Sequence, residues 1–194
     1  MASGNEEKIE SGFNDVPETK PKKDWILLSL RVVAFLAAVS ATLVMSLNKQ
    51  TKTFVVATIG STPITVPLTA KFQHTPAFVY FVVPNGIVSL HNLVMIAMYI
   101  LGPKFHNKGL QLALIAVFDT MALALASSGD GAATAMSELG RNGNSHAKWN
   151  KICDKFESYC NRGGGSLIAS FIGLILLLII TVMSINKLLK LNRN

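Results

Sequence analysis

The sequence predicts an all-α membrane protein, a bundle of four transmembrane helices, on three observations. Half of its 194 residues are hydrophobic, and mean hydropathy is +0.41. Charged residues make up only 15%, against about 25% in soluble domains. Four apolar runs alternate with polar stretches, and each run is long enough for a ~30 Å hydrocarbon core at about 1.5 Å of rise per helical residue. The net charge of +7 is scattered between these runs, and no groove-reading or base-stacking motif accompanies it. Membrane lipids with anionic headgroups are therefore the expected partner, and nucleic acid is not.

Residues 1–24 are polar and mixed in sign, which reads as a disordered cytoplasmic tail. They hold no apolar core for a signal peptide, and Ala2 stands where myristoylation needs glycine. A four-helix membrane domain follows over 25–190. Its first span is 26–47, with Trp25 at the interface. Residues 48–76 form a first extracellular loop, rich in Thr and carrying Pro63 and Pro67, in which TFVVATIG reads as a short extended segment. The second span, 77–101, contains Pro84, which should kink or loosen it, and ends at Gly102 and Pro103. The link KFHNK is too short for a domain, so the second and third spans form an antiparallel pair. The third span is 109–129, and SSGDGAATAM at its end is open to helical continuation. A second extracellular loop, 137–164, carries both cysteines and closes on Gly163, Gly164 and Gly165. The fourth span, 166–186, is free of charge, and 187–194 is a basic cytoplasmic tail.

An even number of spans places both termini on one side. Lys and Arg number nine on the terminal side and eight in the two large loops, so the positive-inside rule barely votes. Two cysteines sharing one loop suit the oxidising face, which puts the termini in the cytoplasm. The spacing of Cys153 and Cys160 is not a zinc pattern. A disulfide is expected, with free thiols as the alternative. A regular helix would hold their Cα atoms about 10 Å apart, while a disulfide needs about 4.4–6.8 Å, so the chain must bend between them.

Arg31 and Asp119 lie inside spans, where an ionisable side chain costs about 2.5–3.5 kcal/mol on insertion scales and usually faces the bundle interior. Helical spacing puts Ala34, Ala38 and Ala41 on the face of Arg31, and Ala116, Ala122 and Ala126 on that of Asp119. Small residues let helices approach closely; Ala169 and Gly173 give the fourth span a similar notch. Arg31 sits about 9 Å from Trp25 and Asp119 about 15 Å from Gly109, measured from the same membrane face. An intramembrane ion pair Arg31–Asp119 is expected; the alternative is a snorkelling Arg31 and a protonated Asp119. His91 and Asn92, about 15 Å from Leu101, are expected to be polar contacts between helices. The alternative is a proton relay of His91, Asp119 and Arg31. No paired broken helices favour a transporter. GRNGN and NRGGG open no phosphate loop, and His74, His106 and His146 are isolated. No N-x-[ST] sequon occurs. Catalytic residues, cofactors and metals are not expected.

Three features occur together: Arg31 and Asp119 in the first and third spans, HTPAFVYFVVPN opening the second, and WNKICDKFESYC in the second loop. From about residue 24 onward the chain resembles the plant CASP-like proteins, relatives of the Casparian strip membrane domain proteins and the MARVEL tetraspans. The segments PAFVYFVVPN and ICDKFESYC resemble the first CASP-like subfamily. The resemblance carries the family's intramembrane Arg and Asp onto Arg31 and Asp119, and its loop cysteines onto Cys153 and Cys160. The first large loop lacks the short signature of the strip-forming members, so the resemblance stops short of Casparian strip formation. It implies a non-enzymatic plasma-membrane scaffold that forms homo- and hetero-oligomers, organises membrane patches and recruits cell-wall-modifying partners. The second reading is a small channel or transporter using Arg31, His91 and Asp119.

Overall fold

The computed structural model describes residues 25–102 and 108–193; the tail expected at 1–24 and His106 of the link lie outside them. Each apolar run folds as one helix: α1 (Trp25–Ser46), α2 (Pro76–Leu101), α3 (Lys108–Asn142) and α4 (Glu157–Arg193). All four are long and apolar enough to cross a membrane. They pack as an antiparallel bundle in which α1 meets α2 and α4, and α3 meets α2 and α4. One end of the bundle carries the start of α1 and the end of α4, and the other carries the two large connections.

Small residues set the seams. The buried face of α1 is Arg31, Ala34, Ala38, Ala41 and Met45, a spacing that keeps one narrow stripe inward. Across from it, Gly173 of α4 lies against Ala34, Ala37 and Ala38. Leucines, valines and isoleucines such as Leu36, Leu90, Val117 and Ile175 point outward, as they must where the solvent is hydrocarbon.

Pro84 leaves α2 continuous. Its missing N–H deprives the Tyr80 carbonyl of a helical donor. Gly129 of α3 lies against that carbonyl: a Cβ there would come within 3.3 Å of it and 3.4 Å of the Pro84 ring. That turn is thus closed over by a neighbouring backbone.

The two connections differ from their sequence-based boundaries. The third helix runs to Asn142, well past 129, because AATAMSEL is good helix-forming sequence and Ala133 is buried in the bundle. The fourth begins at Glu157, so Gly163, Gly164 and Gly165 lie inside it; Gly163 faces Asn48. The second loop shrinks accordingly to 143–156. At about 1.5 Å per residue these two helices reach roughly 52 and 55 Å, beyond the ~30 Å hydrocarbon core. Residues 187–193 continue α4.

The first loop is an ordered antiparallel hairpin, β1 (Lys49–Ile59) and β2 (Thr62–Lys71), with a bulge between Val55 and Ala57. Isolated two-stranded hairpins are marginal in water, and this one is docked at its base. Phe54 packs edge-on against Phe156 with ring centroids 5.8 Å apart. The Gln50 side chain accepts the Tyr159 N–H at 2.8 Å.

After α3 the chain reverses at Gly143, at φ 69°; a Cβ there would fall 2.7 Å from the Trp149 carbonyl. The N–H groups of Ile152 and Cys153 then return to the Gly140 carbonyl. This reversal brings Cys153 to Cys160, in the first turn of α4, at a Cα separation of 5.6 Å, and the two are joined. Closing so short a loop removes chain entropy worth about 2.5 kcal/mol from the unfolded state. Peptide mapping without reductant should recover the two cysteines linked. Changing both to Ser should lower stability by about that amount and speed hydrogen exchange across 143–156. Recovery of both as alkylated free thiols from unreduced protein would remove the bond from this account.

Candidate functional site in the bundle interior

The interior holds two polar layers with an apolar layer between them. The inner one lies toward the end of the bundle where α1 begins and α4 ends, and Asp119 of α3 is its centre. Its side chain is fully buried, and Arg31 is 4% exposed. Arg31 grips it with both arms, Nη1 to Oδ1 at 3.0 Å and Nη2 to Oδ2 at 2.7 Å. A planar guanidinium fork matches a carboxylate in this way and fixes orientation as well as distance. His91 of α2 reaches Oδ1 at 2.8 Å. An ionised carboxylate only accepts, so the Nε2 atom of His91 carries the hydrogen. Ser184 of α4 donates to Oδ2 at 3.0 Å. One carboxylate therefore collects donors from the other three helices.

The outer layer lies about three turns further along α3, on nearly the same face, since 11 residues advance about 16 Å and bring the helix round by three turns. Asp130 sits there at 1% exposed. Ser170 of α4 lies 2.7 Å from its Oδ1, and Asn85 Nδ2 of α2 lies 3.4 Å from the same atom. Between the layers Ala38, Val88, Ala122, Ala126 and Leu177 pack into one apolar cluster.

The structure brings Arg31, Asp119 and His91 together. It does not bring Asn92 to another helix: its Nδ2 donates to Val88 O of its own helix at 3.0 Å, and its Oδ1 has no partner among the described residues. The expected interhelical contact of Asn92 is thus corrected. An asparagine inside a helix has the carbonyl four residues back within reach, and that local bond took the donor. Ser184, Asp130, Asn85 and Ser170 were missed. Ser166, Ser170, Gly173, Thr181 and Ser184 recur at spacings of three, four or their multiples on the buried face of α4, a stripe the hydropathy of that span conceals. Asn48, just past α1, is also buried; it donates to the Tyr159 carbonyl at 2.8 Å and ties the first helix to the fourth.

A cavity of about 740 Å³ opens at the loop-bearing end, walled by Phe78, Met136, Trp149, Tyr159 and the disulfide. None of the residues lining it belongs to either polar layer. Among the described residues no group of three or more His, Cys, Asp or Glu could hold a metal ion.

Removing one member of the inner layer strands the rest. In soluble proteins an orphaned buried partner costs about 3–5 kcal/mol, and in lipid less where water or a proton can reach it. Arg31→Ala and Asp119→Ala should each cut folded yield severalfold, and the double variant should lose less than the sum. Ser184→Ala removes one donor and should cost about 0.6–2 kcal/mol. A double-mutant cycle on folded yield in membranes measures this, and strict additivity of Arg31→Ala with Asp119→Ala would show that the pair contributes nothing.

The sequence has counterparts among known proteins. Residues 20–176 match the Casparian strip membrane protein domain. CASP-like protein 1B1 of Glycine max is 67% identical over 193 residues, covering 100% of both chains. CASP-like protein 1B1 of Populus trichocarpa is 62% identical over 189 residues, covering 97% of this chain and 96% of its own. CASP-like protein 1B2 of Arabidopsis thaliana is 54% identical over 173 residues, covering 89% and 88%. No solved structure matches the chain. The four spans and the matched domain lead to one conclusion: this chain belongs to the Casparian strip membrane protein domain family, among the plant CASP-like membrane proteins.

Proposed function

We propose that the protein is a non-enzymatic scaffold of the plasma membrane, self-associating and joining related membrane proteins into patches that recruit cell-wall-modifying partners. The observation that carries this reading is how the interior is used. Every ionisable side chain of the inner layer is held by a side chain from another helix. The apolar cluster of Ala38, Val88, Ala122, Ala126 and Leu177 separates that layer from Asp130. Such an interior supports a fixed assembly over a conducting path, which would need a polar route through the same level. The family relationship supports the same reading.

Purified protein in liposomes should pass protons and small cations no faster than empty liposomes. Two differently tagged copies should co-purify in mild detergent. Flux above background that Asp119→Asn abolishes would overturn the scaffold reading in favour of transport. Exclusively monomeric protein in native membranes would remove self-association.

Both termini are placed in the cytoplasm on this reading, because the joined cysteines then face the oxidising side. Reporters fused at each end should resist an impermeant protease on intact cells, and digestion of either one reverses the orientation.

A further inference from the structure

The outer layer contains an acid that no base among the described residues neutralises. Among the described residues Asp130 has no salt bridge; the buried ion pairs are those of Asp119. Asn85 of α2 and Ser170 of α4 face it, and neither ionises. The ionisable groups of the packed helices are engaged or distant. Tyr80 of α2 bonds to Ser128 at 2.9 Å. His91 of α2 and Arg31 of α1 bind Asp119, three turns down the same helix. Glu138 of α3 is about two turns up; on α4, Glu157 and Tyr159 stand about three turns above Ser170, and Arg162 is exposed. Tyr99 lies near the opposite end of α2.

The hydrogens in this layer can be counted. Ser170 Oγ lies 2.8 Å from Asn85 Oδ1 and 2.7 Å from Asp130 Oδ1. A hydroxyl carries one hydrogen, and both neighbours are oxygens. Ser170 can satisfy one contact fully, and the other needs a hydrogen from its partner. Turning the Asn85 amide over does not supply it. Its Nδ2 donates to the Phe81 carbonyl at 3.1 Å, and the reversed amide would press oxygen against that carbonyl. The remaining source is the carboxyl of Asp130. A proton on its Oδ1 completes a directed chain from Asp130 to Ser170, from Ser170 to Asn85, and from Asn85 to Phe81 O. Asp130 Oδ2 is buried without a partner among the described residues. A bare carbonyl oxygen of a neutral acid is far less costly there than a bare carboxylate oxygen.

We propose that Asp130, Asn85 and Ser170 form a proton-binding site in which a protonated Asp130 donates to Ser170 and so joins α2, α3 and α4 in the loop-bearing half of the bundle. The site is independent of the scaffold reading. Its sign follows from linkage. The folded chain keeps a proton that an exposed Asp releases near pH ~3.9, so stability is greatest below that and falls as pH rises, by about tenfold in the folding constant per pH unit, until the folded site itself deprotonates.

The test uses the full chain in detergent or nanodiscs. Asp130→Asn keeps the shape, is neutral at every pH and retains a donor for Ser170. It should fold at least as well as the native chain and lose one proton's worth of pH dependence, about tenfold per unit. Asp130→Ala, with no donor, should fold poorly. In the infrared, the native chain should show the carbonyl stretch of a protonated acid, absent in Asp130→Asn and shifted in Ser170→Ala. Equal pH slopes for the native chain and Asp130→Asn would overturn the site. If Asp130→Asn does not fold, the native chain and Ser170→Ala decide. No acid carbonyl band, or a band unmoved by losing the Ser170 hydroxyl, places no proton on Asp130.

Discussion

The bundle is organised around the carboxylate of Asp119. In lipid a lone charge has neither water nor an ion to turn to, and all four spans contribute to satisfying this one. Arg31 neutralises it and occupies both oxygens, while His91 and Ser184 fill the remaining lone pairs. The contact is directional, so it fixes which helices are neighbours, how far each has slid and how each is rotated. Dispersion between leucines could not do this, because lipid tails offer leucine the same contact.

Such a contact forms only if the helices come close, and the small residues serve that purpose. The alanines of α1 line up beneath Arg31, those of α3 flank Asp119, and Gly173 lets α4 rest on α1. The pairing of Pro84 with Gly129 belongs to the same design. A proline leaves one carbonyl without a donor, and a glycine on the next helix brings backbone up to cover it.

The vertical order of the interior bears on what the protein can do. A neutralised ion layer lies at one level, an apolar layer of Ala38, Val88, Ala122, Ala126 and Leu177 at the next, and a network of Asp130, Asn85 and Ser170 above that. Each polar layer joins helices, and the apolar layer keeps the two apart. The hairpin and the disulfide-linked turn then cap the loop-bearing end, anchored through Phe54 to Phe156 just before α4 and through Gln50 and Asn48 to Tyr159 in its first turn. The result is a membrane body with an ordered face on one side, which fits the scaffold role proposed above.

The sequence by itself determined the four spans, their alternating direction, and the placing of Arg31 and Asp119 on small-residue faces. Hydropathy and helical spacing are local properties, and the absence of water in a bilayer leaves the backbone little choice but helix. Tertiary structure decided what depends on a distant neighbour. Only packing shows that Ser184 completes the Asp119 site, since a serine in an apolar span equally well bonds its own helix, as Ser166 does to Gly163. The hydropathy boundary at 129 left Asp130 one residue outside its span, and its burial appears only when α2 and α4 stand beside it. The helices outrun their apolar segments because, past the hydrocarbon, α3 and α4 still bury Ala133, Tyr159 and Gly163 at the loop-bearing end, where Asn48 and the base of the hairpin meet the first turns of α4. Hydropathy reports where a chain meets lipid; where it meets itself was settled by the fold.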